Sequence, residues 1–204
     1  MRILRGGIFL VVAAIAFAQS PDDEHRFTVS STTFANDTVM PLSTIHNNVV
    51  NGVNTCTANG APGGNQSPEL FWKGAPPGTQ TFAVVLYDTT AAFTHWGIYN
   101  IPGTATGLPE NAGVSGSKYG PQILNDFGIG NEYDGPCPPA NVAPDTHHYV
   151  FTVYALDVSL KLPSSANFPA NAETLYHALL RAGREHHILA SASITGLYSS
   201  TPSK

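Results

Sequence analysis

Charged residues are scarce in this chain: only 11% are Asp, Glu, Lys or Arg, and nine basic residues face 14 acidic ones, a net charge of −5 with His neutral. The acidic balance excludes nucleic acid or an anionic membrane surface as the main partner, because both select for positive charge. Cysteine is scarcer still, with Cys56 and Cys137 alone. Neither has a second Cys or a His at the short spacing of a zinc site. An even count in an exported chain points to one disulfide, with two separate buried thiols as the alternative. The chain also lacks a Gly-x-Ser-x-Gly elbow and a His-Glu-x-x-His helix, and no particular Ser is placed as a nucleophile. That removes the motif grounds for a serine-elbow hydrolase or a zinc protease. Beyond the N-terminus no apolar run approaches the roughly 20 residues that span a bilayer.

The one long apolar run, Ile8 to Phe17, follows Arg2 and Arg5 and ends in the small-x-small sequence Ala16-Phe17-Ala18. This is the anatomy of a secretory signal peptide over residues 1–18, too short for a membrane anchor. Cleavage before Gln19 removes two of nine basic residues and none of the 14 acidic ones, leaving seven against 14, a net charge of −7. The mature product is expected to be exported, periplasmic or secreted, without an integral membrane segment. Residues 19–26 read as a flexible leader, and residues 27–204 as a single domain, since no charge run, heptad or repeat divides them.

What the chain does have is turn formers, 19 Gly and 16 Pro, within a 42% hydrophobic composition. Many turns between apolar runs predict a mainly β domain with few helices. Thr81 to Tyr87 is apolar on both faces and reads as a central strand ending at Asp88. Phe93 to Ile101 follows, with alternation placing Phe93, His95 and Tyr99 on one face and Trp96 and Ile98 on the other. Asn47 to Asn65 reads as a surface loop carrying Cys56, and Gly103 to Asp134 is long enough to be functional or mobile. Asn171 can cap a helix with Leu175, Ala178 and Leu179 on one stripe, and Ile188 to Tyr198 reads as a last strand.

The rest is organised around Tyr133 to Asp157, where a loop stiffened by Gly135, Pro136, Pro138 and Pro139 feeds an apolar strand beginning near His148. Asp88, His95 and His147 then lie at ends or entries of adjoining strands. Taken singly, each has an ordinary explanation as a turn cap or a hydrogen-bonded core residue. Together, imidazole N–H donors and loop backbone amides suit an anionic ligand.

Several separated motifs occur in order: Ser67-Pro68-x-Leu70-x-Trp72, the segment at Asp88, His95-Trp96-x-x-x-Asn100-Ile101-Pro102, Asn125-Asp126-x-Gly128, Gly135-Pro136-Cys137-Pro138-Pro139 and His147-x-Tyr149-x-Phe151. In these the chain resembles the phosphatidylethanolamine-binding protein family, in its bacterial Raf-kinase-inhibitor-like branch, from about Phe27 to Tyr198. The resemblance implies a central antiparallel β-sheet packed against a smaller sheet, with one or two C-terminal helices. It also implies a small pocket for phosphate-bearing or carboxylate anions, such as a phospholipid head group. Carried over by motif position, the pocket residues are Asp88, His95, Gly135, Pro136 and His147, with Trp96, Tyr149 and Tyr198 in support. A modulated protein partner is implied as well, though its identity is not.

Two departures stand out. Where the family has Asp-Pro-Asp-Ala-Pro, this chain reads Asp88-Thr89-Thr90-Ala91-Ala92, so one carboxylate and both prolines are missing and a looser loop is expected. His148 replaces the family's Arg. With Asp88 as the only hard oxygen ligand of that motif, neither a metal nor a cofactor is expected. The reading is a binding protein, and not an enzyme. The alternatives are a small hydrolase using His95 or His147 with Asp88, or a protease-inhibitor-type protein presenting the 103–134 loop.

Overall fold

The computed structural model describes residues 26–165 and 167–201. In chain order the elements are β1 (Thr28–Ser30), β2 (Thr38–Val39), β3 (Val49–Val50), β4 (Val53–Asn54), β5 (Leu70–Lys73), β6 (Thr81–Asp88), β7 (Phe93–Pro102), β8 (Gly107–Leu108), β9 (His147–Leu156), α1 (Ala172–Arg184) and β10 (Ile188–Tyr198). The signal segment 1–18 and residues 19–25 of the leader lie outside the described residues.

The apolar runs become the central sheet, ordered β2-β10-β9-β6-β7. Its four long strands are antiparallel, while the short β2 joins β10 in parallel at one edge. A three-stranded sheet, β1-β5-β8, covers one face. Between the two layers Phe82, Val84, Leu86, Phe151 and Val153 pack with Leu70 and Trp72, all essentially inaccessible to water. The Trp72 and Phe82 rings lie 5.1 Å apart across this interface. Each such side chain contributes about 1.5–3 kcal/mol by burial.

The reverse face carries α1, the one α-helix among the described residues. Asn171 caps it as the sequence predicts, and the cap is a full capping box: Thr174 N–H donates to Asn171 Oδ1 at 3.0 Å, and Asn171 N–H donates to Thr174 Oγ1 at 2.9 Å. Leu175, Ala178 and Ala182 then pack on Ala83, Ile123 and Leu156. Gly97 permits this approach, because a side chain there would run into Leu175 and Ile123.

Three expectations need correction. Alternation along β7 breaks at a register shift, where the step Thr94 to Trp96 faces the single step Tyr87 to Leu86. The extra residue is His95, a β-bulge. It puts the His95 ring against Tyr149 at 5.3 Å, on the side where Trp96 and Ile98 are also buried, while Tyr99 packs on the helix side. The segment Asn47 to Asn65 is not simply a surface loop. It forms the β3–β4 hairpin, turned by Asn51 and Gly52 at positive φ, and then buries Cys56 completely. Cys56 is joined to Cys137 in a disulfide. The long 103–134 segment forms β8 and then runs back along the edge of β7. Tyr99 N–H donates to Pro121, Ile123 to Gly97, Asp126 to Thr94 and Asp134 to His95, at 3.0–3.3 Å. An otherwise open sheet edge is thereby covered.

Candidate functional site

Sheet register brings the predicted residues together at one end of the central sheet. Asp88 closes β6 and lies opposite Phe93 of β7 and Tyr149 of β9, while His147 at the start of β9 lies opposite Tyr198 of β10. Asp88, His95 and His147 are buried to 2%, 4% and 6% exposure, so their polar atoms need partners or a ligand.

Asp88 Oδ2 accepts from His147 Nδ1 at 2.6 Å, and Oδ1 accepts from the amides of Thr90 and Ala91 at 2.8 and 3.1 Å. The loop that lacks the family's prolines is thus held by the carboxylate before it. Thr90 adds a tie by accepting from the His148 amide at 3.1 Å. His95 Nδ1 donates to the Asp134 carbonyl at 2.9 Å. A carbonyl oxygen only accepts, so the proton is on Nδ1 and Nε2 is left with a lone pair. The Asp88 carboxylate likewise holds the Nδ1 proton of His147. Neither Nε2 makes a hydrogen bond of good geometry within the described residues, although the Gly135 carbonyl lies close to the His95 ring.

Tyr149 lies between the two imidazoles, 5.3 Å from the His95 ring and 6.3 Å from that of His147. Its hydroxyl is completely buried and makes no hydrogen bond of good geometry, although the Asp88 carboxylate lies near enough to draw on its proton. Burial, reinforced by the Asp88 charge, pushes this phenol far above its ordinary range, so it stays a donor. An unsatisfied buried group of this kind costs about 1–3 kcal/mol.

Gly135 and Pro136 form a wall, but not the row of amide donors expected of the loop. The Gly135 amide is committed to Asn65 Oδ1 at 2.8 Å, and Pro136 has none to offer. Only glycine fits at 135, because any side chain would collide with the Thr44 carbonyl. Trp96 and Tyr198 support the site without presenting polar atoms to it. The indole N–H of Trp96 donates to Gln122 Oε1 at 2.6 Å, and the Tyr198 hydroxyl donates to the Cys56 carbonyl at 3.1 Å.

Sequence reasoning missed His46, Asp134 and Phe127. His46 Nδ1 lies 3.2 Å from Asp134 Oδ1, a second acid–imidazole pair beside Asp88 and His147. Asn65 and Asn125 also donate to Asp134, at 3.1 and 2.8 Å. The Phe127 ring stacks on His46 at 5.0 Å and meets His95 edge-on at 5.4 Å. The hydrogen bond to Asp134 is the main cause holding His46 above the usual imidazole range. Burial drives His95 the other way, below it, against the pull of the Asp134 carbonyl and the Asp88 charge. Burial alone would raise Asp134, but donation from His46, Asn125 and Asn65 outweighs it and leaves the carboxyl below its ordinary value.

Comparisons with known proteins bear on the family and the fold. A family model described as phosphatidylethanolamine-binding protein matches residues 30–199. The chain is 40% identical over 147 residues to UPF0098 protein YbcL of Escherichia coli (strain K12), covering 68% of this chain and 74% of that one. To UPF0098 protein YbhB of the same organism it is 36% identical over 163 residues, covering 76% and 90%. The crystal structure of E. coli YbcL, described as a new member of the mammalian PEBP family, superposes with a TM-score of 0.68 at 31% identity, covering 85% of this chain and 98% of the other. From the model matched over most of the described residues, the chain belongs to the phosphatidylethanolamine-binding protein family.

Proposed function

We propose that this chain is an exported binding protein whose pocket holds a small oxyanion, a phosphate-bearing group or a carboxylate, between His95, His147 and Tyr149. The observation that carries this reading is the Tyr149 hydroxyl, a buried donor that makes no hydrogen bond of good geometry even with Asp88 nearby, flanked by two imidazoles whose Nε2 atoms are uncommitted. A ligand oxygen supplies the missing acceptor. Each imidazole becomes a second donor once Nε2 is protonated, or accepts a proton that the ligand itself carries, as hydrogen phosphate does. The family takes its name from a phosphate-bearing lipid, which fits the same chemistry. Export rests on the signal-like residues 1–18 and on the Cys56–Cys137 disulfide, a bond of oxidising compartments.

One observation favours a second reading. The 2.6 Å contact of Asp88 with His147 is the arrangement of an oriented general base, so a small hydrolase is the alternative. Phosphorus-31 NMR of phosphoethanolamine with the wild-type chain and with His147→Asn separates the two. The Asn variant keeps a donor for Asp88 while removing Nε2. Line broadening of intact phosphoethanolamine that weakens in the variant supports binding, whereas release of inorganic phosphate by the wild type alone establishes the hydrolase.

A further inference from the structure

The Asp134 carboxylate is tied to three side chains, yet the Asp88–His147 half makes no use of it. Its main chain clasps β7 at two points: its carbonyl takes the His95 Nδ1 proton at 2.9 Å, and its amide donates to the His95 carbonyl at 3.3 Å. Its carboxylate is held by His46, Asn65 and Asn125. Two of these three neighbours also hold the residues that follow, since Asn65 accepts from the Gly135 amide and the His46 amide donates to the Pro136 carbonyl at 3.1 Å. The carbonyl that selects the His95 tautomer is therefore positioned by His46 and Asn65. Phe127 packs both imidazoles onto one ring, which keeps His46 close beside His95.

We propose that His46 and Asp134 form a positioning pair that fixes the tautomer of His95 and makes the pocket's anion affinity follow the charge on His46. This rests on the anion-pocket reading of the site. With His46 protonated, the pair is neutral overall. With His46 deprotonated, the Asp134 carboxylate keeps its full negative charge beside a bound oxyanion and repels it. The groups facing His46 are Asp134, Asn65 and Phe127. Those facing His95 are the carbonyls of Asp134 and Gly135 and the carboxylates of Asp88 and Asp134. His147 faces Asp88, and none of the variants compared below alters that pair. Because Asp134 holds His46 above the usual imidazole range and burial holds His95 below it, the two imidazoles give the affinity two steps, one on each side of about pH 6.5, beside the ionisation of phosphate itself, which every variant shares.

The test is a titration with inorganic phosphate between about pH 5.5 and 8.5 on the full chain, His46→Gln and Asp134→Asn, with the imidazole resonances followed by NMR with and without phosphate. Wild-type affinity is expected to fall about fivefold across the upper step, the effect of one uncompensated charge at a partly screened distance. His46→Gln keeps a donor to Asp134 but cannot titrate, so it binds phosphate without the upper step. Asp134→Asn keeps the carbonyl that His95 uses, and it gains affinity at high pH. In the ligand-free wild type the His95 resonances show an inflection where His46 titrates, and His46→Gln abolishes it. A His46→Gln profile that superposes on the wild type, or His95 resonances indifferent to His46, would overturn the proposal. Absence of phosphate binding by the wild type at every pH would defeat the anion-pocket reading and the affinity half of this one. The His95 resonances would still decide the positioning half.

Discussion

Tyr149 is where stability and binding pull apart most clearly. Its hydroxyl is buried without a partner, so Tyr149→Phe is expected to leave stability unchanged or raise it by up to about 1 kcal/mol, in contrast to most core changes. The same change removes a donor from the pocket and should weaken phosphate binding about tenfold, since a hydrogen bond to a charged group is worth about 1.5 kcal/mol or more. Urea unfolding beside calorimetric titration checks both halves. Loss of stability together with unchanged affinity would show that the hydroxyl serves the fold instead. The histidines set the pH dependence of stability. The folded-state pKa of His46 is raised, so its stabilisation is complete below about pH 6.5 and is lost as pH rises through that raised value. That of His95 is lowered, so the unfolded chain takes up its proton first and the fold weakens as pH falls below about 6.5. Asp134, also lowered, stabilises above the ordinary carboxylate range and ceases to do so as pH falls through its folded value. Unfolding measured across pH should therefore show His46→Gln less stable than wild type by about 1 kcal/mol below pH 6.5, with the gap closing at higher pH. A gap that does not change with pH would mean that the His46 charge contributes nothing.

At the level of elements, the disulfide ties the proline-rich wall to the segment that follows the β3–β4 hairpin. It spans a sequence separation of 81 residues, a loop whose closure is worth about 4.5 kcal/mol as an upper figure in the chain-entropy model. Replacing both cysteines with Ala should lower stability by several kcal/mol and weaken phosphate binding as the wall loosens; unfolding curves that coincide with wild type would show that packing alone holds the loop. The strands at 81–88, 93–102, 147–156 and 188–198 and the helix capped by Asn171 were legible in the sequence, because apolar periodicity and capping are local signals. Asp88, His95 and His147 were legible as strand-end residues and by resemblance. His46 was not, because it lies in a segment without periodicity and meets Asp134 only across 88 positions of chain. Asp134, followed by Gly135 and Pro136, has the look of a turn residue, and its role depends on two donors from distant segments, His46 and Asn65, beside the nearby Asn125. The bulge at His95 was equally hidden, since a strand's face follows from alternation until a partner strand skips a residue.

For the whole molecule, an acidic chain with one disulfide and a signal-like start fits a binding protein working outside the cytoplasm. N-terminal sequencing of the exported fraction should read from Gln19, and an intact Met1 on membrane-bound material would contradict that processing. On the proposed function the site binds an oxyanion, and His95 gains a proton as it does so. A ligand-free His95 held below its ordinary range has to be protonated to donate through Nε2, so binding should take up protons and tighten as pH falls. The most direct test is calorimetric titration with inorganic phosphate near pH 6 and pH 8, each in two buffers of different ionisation enthalpy. Binding that is several-fold tighter near pH 6, with a net uptake of protons, is the predicted result; affinity independent of pH with no proton exchange, or no binding at either pH, would contradict the account.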